Sequence, residues 1–239
     1  MEEKIIISGH VIEHYRFERQ HKGGKKGGRK NKEKAVEDDY YNDNERQRVL
    51  SNNRTRNNIR RLILSNFTDE HSFITLTFAE NLTHVSEGHY QVKKFIQRLK
   101  YRKGKGFKYL FVVEFQQRGA VHYHGFVNMD LEEQELEEIW GKGFITCEKV
   151  FGVDNVGAYL TKYMTKELYD ERLTGEKAYL RSRNLDKPME LKGYDALKIL
   201  SQVEKYGPVY SNYYDSEYTG RIEYKEYNLR RNKNNEDRA

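Results

Sequence analysis

Two histidines, His122 and His124, stand one residue apart in AVHYHGFVNM (120–129), a run with the β-branched and aromatic make-up of a strand. Alternation along a strand sends both imidazoles to one face and Val121, Tyr123 and Val127 to the other. A second strand, KYLFVVEFQ (108–116), precedes them across Gln117-Arg118-Gly119. If those three residues are a hairpin loop, with Gly119 in the left-handed position that closes a type I turn with a bulge, residue 116 pairs with 120. Glu114 then lies directly opposite His122 on the same face, with Cβ atoms roughly 5 Å apart. A His-x-His pair alone is commonly just an exposed strand face; the opposed carboxylate is what makes a ligand set. Two imidazoles and a carboxylate with coordination positions left open suit a divalent cation that acts as a Lewis acid on a phosphate. No cysteine or further histidine lies near enough to close a zinc tetrahedron, so an open Mg²⁺ or Mn²⁺ site is the better fit.

A second constellation lies in VGAYLTKYMTKEL (156–168), where Tyr-x-x-Lys occurs twice in succession. At 100° per residue, Tyr159, Lys162, Tyr163 and Lys166 fall within an arc of roughly 100°. Val156, Leu160, Met164 and Leu168 occupy the neighbouring arc that would dock on a sheet. Tyr163 borders that apolar arc and could serve as core filler; Tyr159 stands clear of it. A lysine one turn beyond a tyrosine favours its phenolate or holds a phosphate beside it. Tyrosine can act as a covalent nucleophile.

Several elements must carry these groups. KIIISGHVIEHYRFE (4–18) reads as a hairpin, and RQHKGGKKGGRKNKEK (19–34) as a flexible basic linker. RTRNNIRRLILSNF reads as a basic helix whose buried stripe is Ile59, Leu62, Ile63 and Phe67. HSFITLTFAE (71–80) is a strand, and YQVKKFIQRLKY (90–101) an amphipathic helix with Val92, Phe95, Ile96 and Leu99 inward. After the two strands of the hairpin, Asp130 is expected to cap an acidic helix with Glu133 at the capping-box position. GFITCEKV (143–150) adds a fourth strand, and Asp154 or Asn155 caps the tyrosine helix. Residues 72–168 thus read β-α-β-β-α-β-α. That order predicts an α+β fold, a central antiparallel sheet with helices on one face, of ferredoxin-like type. The expected organisation is an N-terminal hairpin and linker (1–45), a core domain (46–190, with its basic helix about 46–66 and core 67–170), and a C-terminal extension (191–239). The extension is tyrosine-rich and weakly patterned, with a basic tail expected to be disordered.

The 239 residues suffice to bury a core. A net charge of +6 permits an anionic partner, and nineteen tyrosines among many Lys and Arg residues form a mixture that stacks bases and neutralises phosphates. One cysteine, Cys147, excludes an intramolecular disulfide. No apolar run approaches a membrane span, and the start MEEKIIISGHV lacks the shape of a signal peptide, so a cytoplasmic protein with no membrane partner is expected.

In order along the chain, ITLTF (74–78), HYH (122–124) and YLTKYMTK (159–166) resemble the three motifs of the HUH endonucleases, which start rolling-circle replication. The likeness is greatest to the replication-associated proteins of phages, plasmids and integrative elements of Gram-positive bacteria, and runs along roughly residues 55–190. The resemblance implies an HUH endonuclease fold in which His122 and His124, with Glu114 as third ligand, hold Mg²⁺ or Mn²⁺. It implies Tyr159 and Tyr163 as nucleophiles that leave a 5′-phosphotyrosine and a free 3′-OH, assisted by Lys162 and Lys166. Arg56, Arg60, Arg61, Thr75, Thr77, Arg118, Arg181 and Arg183 are the expected DNA contacts. The partner would be single-stranded or supercoiled origin DNA inside a bacterial host cell. No Gly-x4-Gly-Lys-Ser/Thr motif occurs, so a host helicase is expected to unwind it. Two other readings stand beside this one. A tyrosine transposase of the same superfamily shares the chemistry. A non-catalytic nucleic-acid binding module is suggested by KGFKYLFV (105–112), which partly matches an RNA-recognition signature.

Overall fold

A computed structural model describes residues 2–19, 37–67, 71–129, 132–150, 170–216 and 218–231. The elements in chain order are β1 (Glu2–Ser8), β2 (Val11–Phe17), α1 (Glu37–Asn66), β3 (His71–Thr77), α2 (Val85–Lys103), β4 (Tyr109–Phe115) and β5 (Val121–Val127). They continue with α3 (Glu133–Trp140), β6 (Ile145–Val150), β7 (Tyr179–Arg181), β8 (Met189–Lys192), α4 (Gly193–Val203), β9 (Tyr210–Ser216) and β10 (Gly220–Asn228). The fold is α+β, with two antiparallel sheets. By Cα proximity the chain divides into two compact units, residues 51–187 and residues 1–50 with 188–239. Among the described residues no helix is long and apolar enough to cross a membrane.

In residues 51–187 the strand order is β6-β3-β5-β4-β7. Leaving out the edge strand β7, this is the fourth-first-third-second order of a split β-α-β, the ferredoxin-like arrangement that the element order predicts. Period-two alternation sorts each strand between two faces. Ile74, Leu76, Phe111, Val113 and Tyr123 are buried against Val92, Phe95 and Leu99 of α2 and Leu136 and Trp140 of α3. Phe73, Leu110, Val112 and Phe126 point the other way and are buried against Ile59, Leu62, Ile63 and Phe67 of α1. Helices therefore cover one face fully, and α1 covers part of the second. Each of these large apolar side chains contributes about 1.5–3 kcal/mol when fully buried. The α1 layer packs on β3, β4 and β5 at Phe73, Leu110 and Phe126.

Asn66 pins the end of α1 in place. Its Nδ2 donates to the carbonyls of Leu62 and Asp186, both at 2.9 Å, while its Oδ1 accepts from the Asp186 N–H and from Lys108 Nζ, also at 2.9 Å. Gly125 on β5 marks a close approach: a Cβ there would overlap the Leu110 carbonyl oxygen and the Phe111 ring. The acidic helix α3 begins at Glu133, with Glu132 at the N-cap and no side-chain cap bond. Its expected cap, Asp130, lies outside the described residues.

In the other unit the order is β8-β1-β2-β10-β9, and α4 buries Ala196, Leu200 and Val203 against Ile5, Ile12 and Tyr227. The N-terminal hairpin is thus paired on both sides by the weakly patterned C-terminal region. The basic linker from residue 20 and the tail from 232 lie outside the described residues.

Candidate metal centre

The hairpin of β4 and β5 has the register that its loop predicts. The Gln116 N–H donates to the Ala120 carbonyl at 2.9 Å, Gly119 has φ 87°, and Glu114 pairs directly with His122. The ligand atoms of Glu114, His122 and His124 lie within 4.8 Å of one another. Glu114 Oε2 is 2.5 Å from His124 Nε2 and 3.8 Å from His122 Nδ1. His124 is buried, and the side chains of Glu114 and His122 are part-exposed.

The third strand supplies orientation. In β3, Thr75 pairs with His124 and Thr77 with His122. Thr75 Oγ1 lies 3.0 Å from His124 Nδ1, and Thr77 Oγ1 is hydrogen-bonded to His122 Nε2. Each imidazole therefore keeps one nitrogen on a hydroxyl and turns the other toward Glu114, the division of labour by which outer partners fix the tautomer of a metal-ligating histidine. The Phe73 ring stacks on His124 with centroids 5.9 Å apart and an 11° interplanar angle. Burial alone would raise the Glu114 pKa, but hydrogen bonds to His122 and His124 and their charges outweigh it and hold the carboxyl at about 2. Glu114 is thus ionised at neutral pH. A donor set of one carboxylate oxygen and two imidazole nitrogens fits a divalent cation, which His122 would hold through Nδ1 and His124 through Nε2.

Tyr123 sits between the two histidines in sequence and points to the opposite face. It is fully buried, with its hydroxyl 2.9 Å from His89 Nδ1. His89 Nε2 in turn lies 2.8 Å from the Lys177 carbonyl, so Nε2 carries the proton and Nδ1 accepts from Tyr123. Burial holds the His89 pKa below its ordinary value, consistent with a neutral ring.

The centre opens into a cavity of about 700 Å³ bordered by Thr77, Glu114, His122, Gln116, Arg118 and Phe144. Arg118 is exposed, with Nη2 donating to the Phe78 carbonyl at 2.8 Å and Nε to Gln116 Oε1 at 3.0 Å. Its guanidinium thus borders the cavity. Phe144, 73% exposed, adds an apolar wall that nothing in the sequence singled out. Arg172 is a second residue without a sequence signal: its guanidinium lies 3.7 Å from the Phe115 ring centroid, and Nη1 donates to the Gly119 carbonyl at 3.3 Å.

The other expected site residues divide into three groups. Thr75 and Thr77 engage the imidazoles. Arg56, Arg60 and Arg61 are half-buried on α1, where Arg60 and Arg61 have interaction partners. Arg181 and Arg183 are exposed on and just after β7 and border a different cavity. Tyr159, Lys162, Tyr163 and Lys166 lie outside the described residues.

Residues 71–168 match a family model described as replication-associated protein, of the ORF2 and gene-2-protein type. That segment contains Glu114, His122 and His124, both threonines and both Tyr-x-x-Lys repeats, and it is similar to replication-associated proteins. Neither a curated protein nor a solved structure matches the chain.

Proposed function

We propose that this chain is a metal-dependent, strand-specific DNA nicking and joining enzyme that initiates rolling-circle replication. The observation that carries this reading is the Glu114–His122–His124 cluster, oriented by Thr75 and Thr77, inside the segment that matches replication-associated proteins. When bound there, Mg²⁺ or Mn²⁺ supplies charge neutralisation and polarisation of the scissile phosphate.

The chain's own residues do the rest. Arg118 at the cavity mouth engages a neighbouring phosphate, and Phe144 offers a face to a base. The phenolic oxygen of Tyr159 or Tyr163 attacks phosphorus, the bond to the 3′ oxygen breaks, and a 5′-phosphotyrosine forms. The phenol loses its proton in the attack, and the departing 3′ oxygen takes one up, leaving a 3′-OH that primes synthesis. Lys162 and Lys166 hold the phosphate and favour the phenolate. The second tyrosine repeats the attack at termination, while the first still carries DNA.

The binding-module alternative requires aromatic side chains displayed on an open sheet face. Its signature residues Phe107, Tyr109 and Phe111 instead point to the α2 side, where Phe107 and Phe111 are buried. The test is incubation with Mn²⁺ and single-stranded oligonucleotides tiled over the replicon that encodes the chain. A covalent protein–DNA adduct is expected, with mass spectrometry placing it on Tyr159 or Tyr163. An adduct that persists in the Tyr159→Phe/Tyr163→Phe double variant would falsify the tyrosine mechanism.

A further inference from the structure

A second cavity, of about 590 Å³, opens between α2, the loop at 104–108 and the edge strand β7. Five cations border it: Lys93 and Lys100 from α2, Lys105 from the loop, and Arg181 and Arg183 from β7 and the residues after it. Among the described residues no carboxylate borders it. In a chain of 43 basic and 37 acidic residues, such segregation concentrates positive charge along this lining. Among the described residues, none of the five makes an ion pair or a side-chain hydrogen bond. All five are exposed, so their heads are available to a ligand.

The inner wall is of a different kind. Phe107 is buried and Tyr109 half-buried, their ring centroids 5.8 Å apart. Beside them the Ser182 N–H donates to the Tyr109 carbonyl at 3.0 Å, and Asn184 Nδ2 donates to the Phe107 carbonyl at 3.3 Å. These bonds fix the cationic segment 181–184 against the aromatic wall. Tyr109 and Glu114 are five residues apart on β4, roughly 17 Å along a strand, and their side chains point to opposite faces. The cavity is therefore separate from the metal centre.

We propose that this cavity is a second binding site, one that holds a single-stranded nucleic-acid segment away from the metal centre. The cations take successive phosphates, and the half-buried Tyr109 ring, backed by Phe107, receives a sugar or base. Several cations spread over a rim match a polyanion better than one small ion, and the exposed end of β7 leaves the strand an exit. Identifying the strand as the DNA to be cleaved rests on the function proposed above; binding itself does not.

The test is fluorescence anisotropy of a labelled oligothymidylate twenty nucleotides long, in EDTA, over a salt series. It uses the full chain and two double variants, Lys100→Ala/Lys105→Ala and Arg181→Ala/Arg183→Ala. Each pair is expected to weaken binding about tenfold and to reduce the slope of log affinity against log salt by about 1.4, the value for two phosphate contacts on a single strand. Mn²⁺ affinity should match that of the unaltered chain, which shows that the sheet is intact. Unchanged affinity and slope in both pairs overturn the proposal. So does equal competition by inorganic phosphate, which marks a small-anion site, or loss of polyglutamate binding with oligonucleotide binding intact. Failure of the covalent adduct with this binding retained defeats the proposed cleavage and leaves this site standing.

Discussion

Replacing Thr77 by valine tests the metal centre at its most informative point. The substitution keeps the shape of the side chain and removes the hydroxyl that is hydrogen-bonded to His122 Nε2. With Nδ1 facing Glu114 Oε2 at 3.8 Å, His122 can ligate only if Nε2 carries the proton, and the Thr77 oxygen accepts it. Valine leaves that N–H in a pocket where the His122 side chain is only 13% exposed. Loss of a net hydrogen bond weakens the arrangement by about 0.5–1.5 kcal/mol. Outer-partner changes typically lower metal affinity by about 10–100-fold. The expected result is Mn²⁺ binding about tenfold weaker by isothermal titration, or about 1.4 kcal/mol. Serine at 77 should restore it. The backbone bonds of residue 77, its N–H to the Phe144 carbonyl at 2.8 Å and its carbonyl to Trp140 Nε1 at 3.0 Å, do not involve the side chain. Thermal unfolding without metal should therefore lose no more than this hydrogen bond's share, about 0.5–1.5 kcal/mol. A valine variant that binds Mn²⁺ within twofold of the original chain, while His122→Ala abolishes binding, would refute the orienting role of Thr77.

Two further outcomes can be checked. Gly125→Ala would press a Cβ onto the Leu110 carbonyl oxygen and force β4 and β5 apart, so a loss of about 2–3 kcal/mol is expected in urea unfolding; a loss below about 1 kcal/mol would show that the strands yield easily. Glu114 is held at about 2, below its ordinary 4.5, so it contributes stability that is complete above about pH 4.5 and is lost as pH falls toward 2. The stability gap between the original chain and Glu114→Gln, measured without metal, should be present at about pH 5 and close below that; a gap that closes above about pH 5 would contradict the assignment.

The convergence of Glu114, His122 and His124 was legible because its geometry is local. Gly119 and a three-residue loop fix which residue faces which, and period-two alternation does the rest. The buried stripe of α1 was legible for the same reason, since Ile59, Leu62, Ile63 and Phe67 repeat at helical spacing. The partnership of Thr75 and Thr77 with the histidines was not: the element order implied β3 beside β5, but the register that sets Thr75 against His124 and Thr77 against His122 leaves no mark in either segment. The second sheet was hidden differently. In β9, YSNYYDS, six of seven residues are exposed, and an edge strand uncovered on both sides has no apolar alternation to read. Its partner β10 also joins the N-terminal hairpin, a pairing between the two ends of the chain. Phe144 and Arg172 gave no signal because a lone exposed aromatic or a paired arginine looks like ordinary surface.

The three ligands all belong to a single hairpin, with Glu114 on one arm and both histidines on the other. A one-residue slip between those arms would turn Glu114 to the opposite face from the imidazoles and dismantle the donor set. A cation bound there would therefore act as a proofreader of strand pairing, favouring this register and penalising its neighbours. Because the hairpin closes over a short loop, that selection can operate before β3 arrives with its threonines. Metal supplied during refolding should then speed formation of the correct sheet as well as stabilise the finished one.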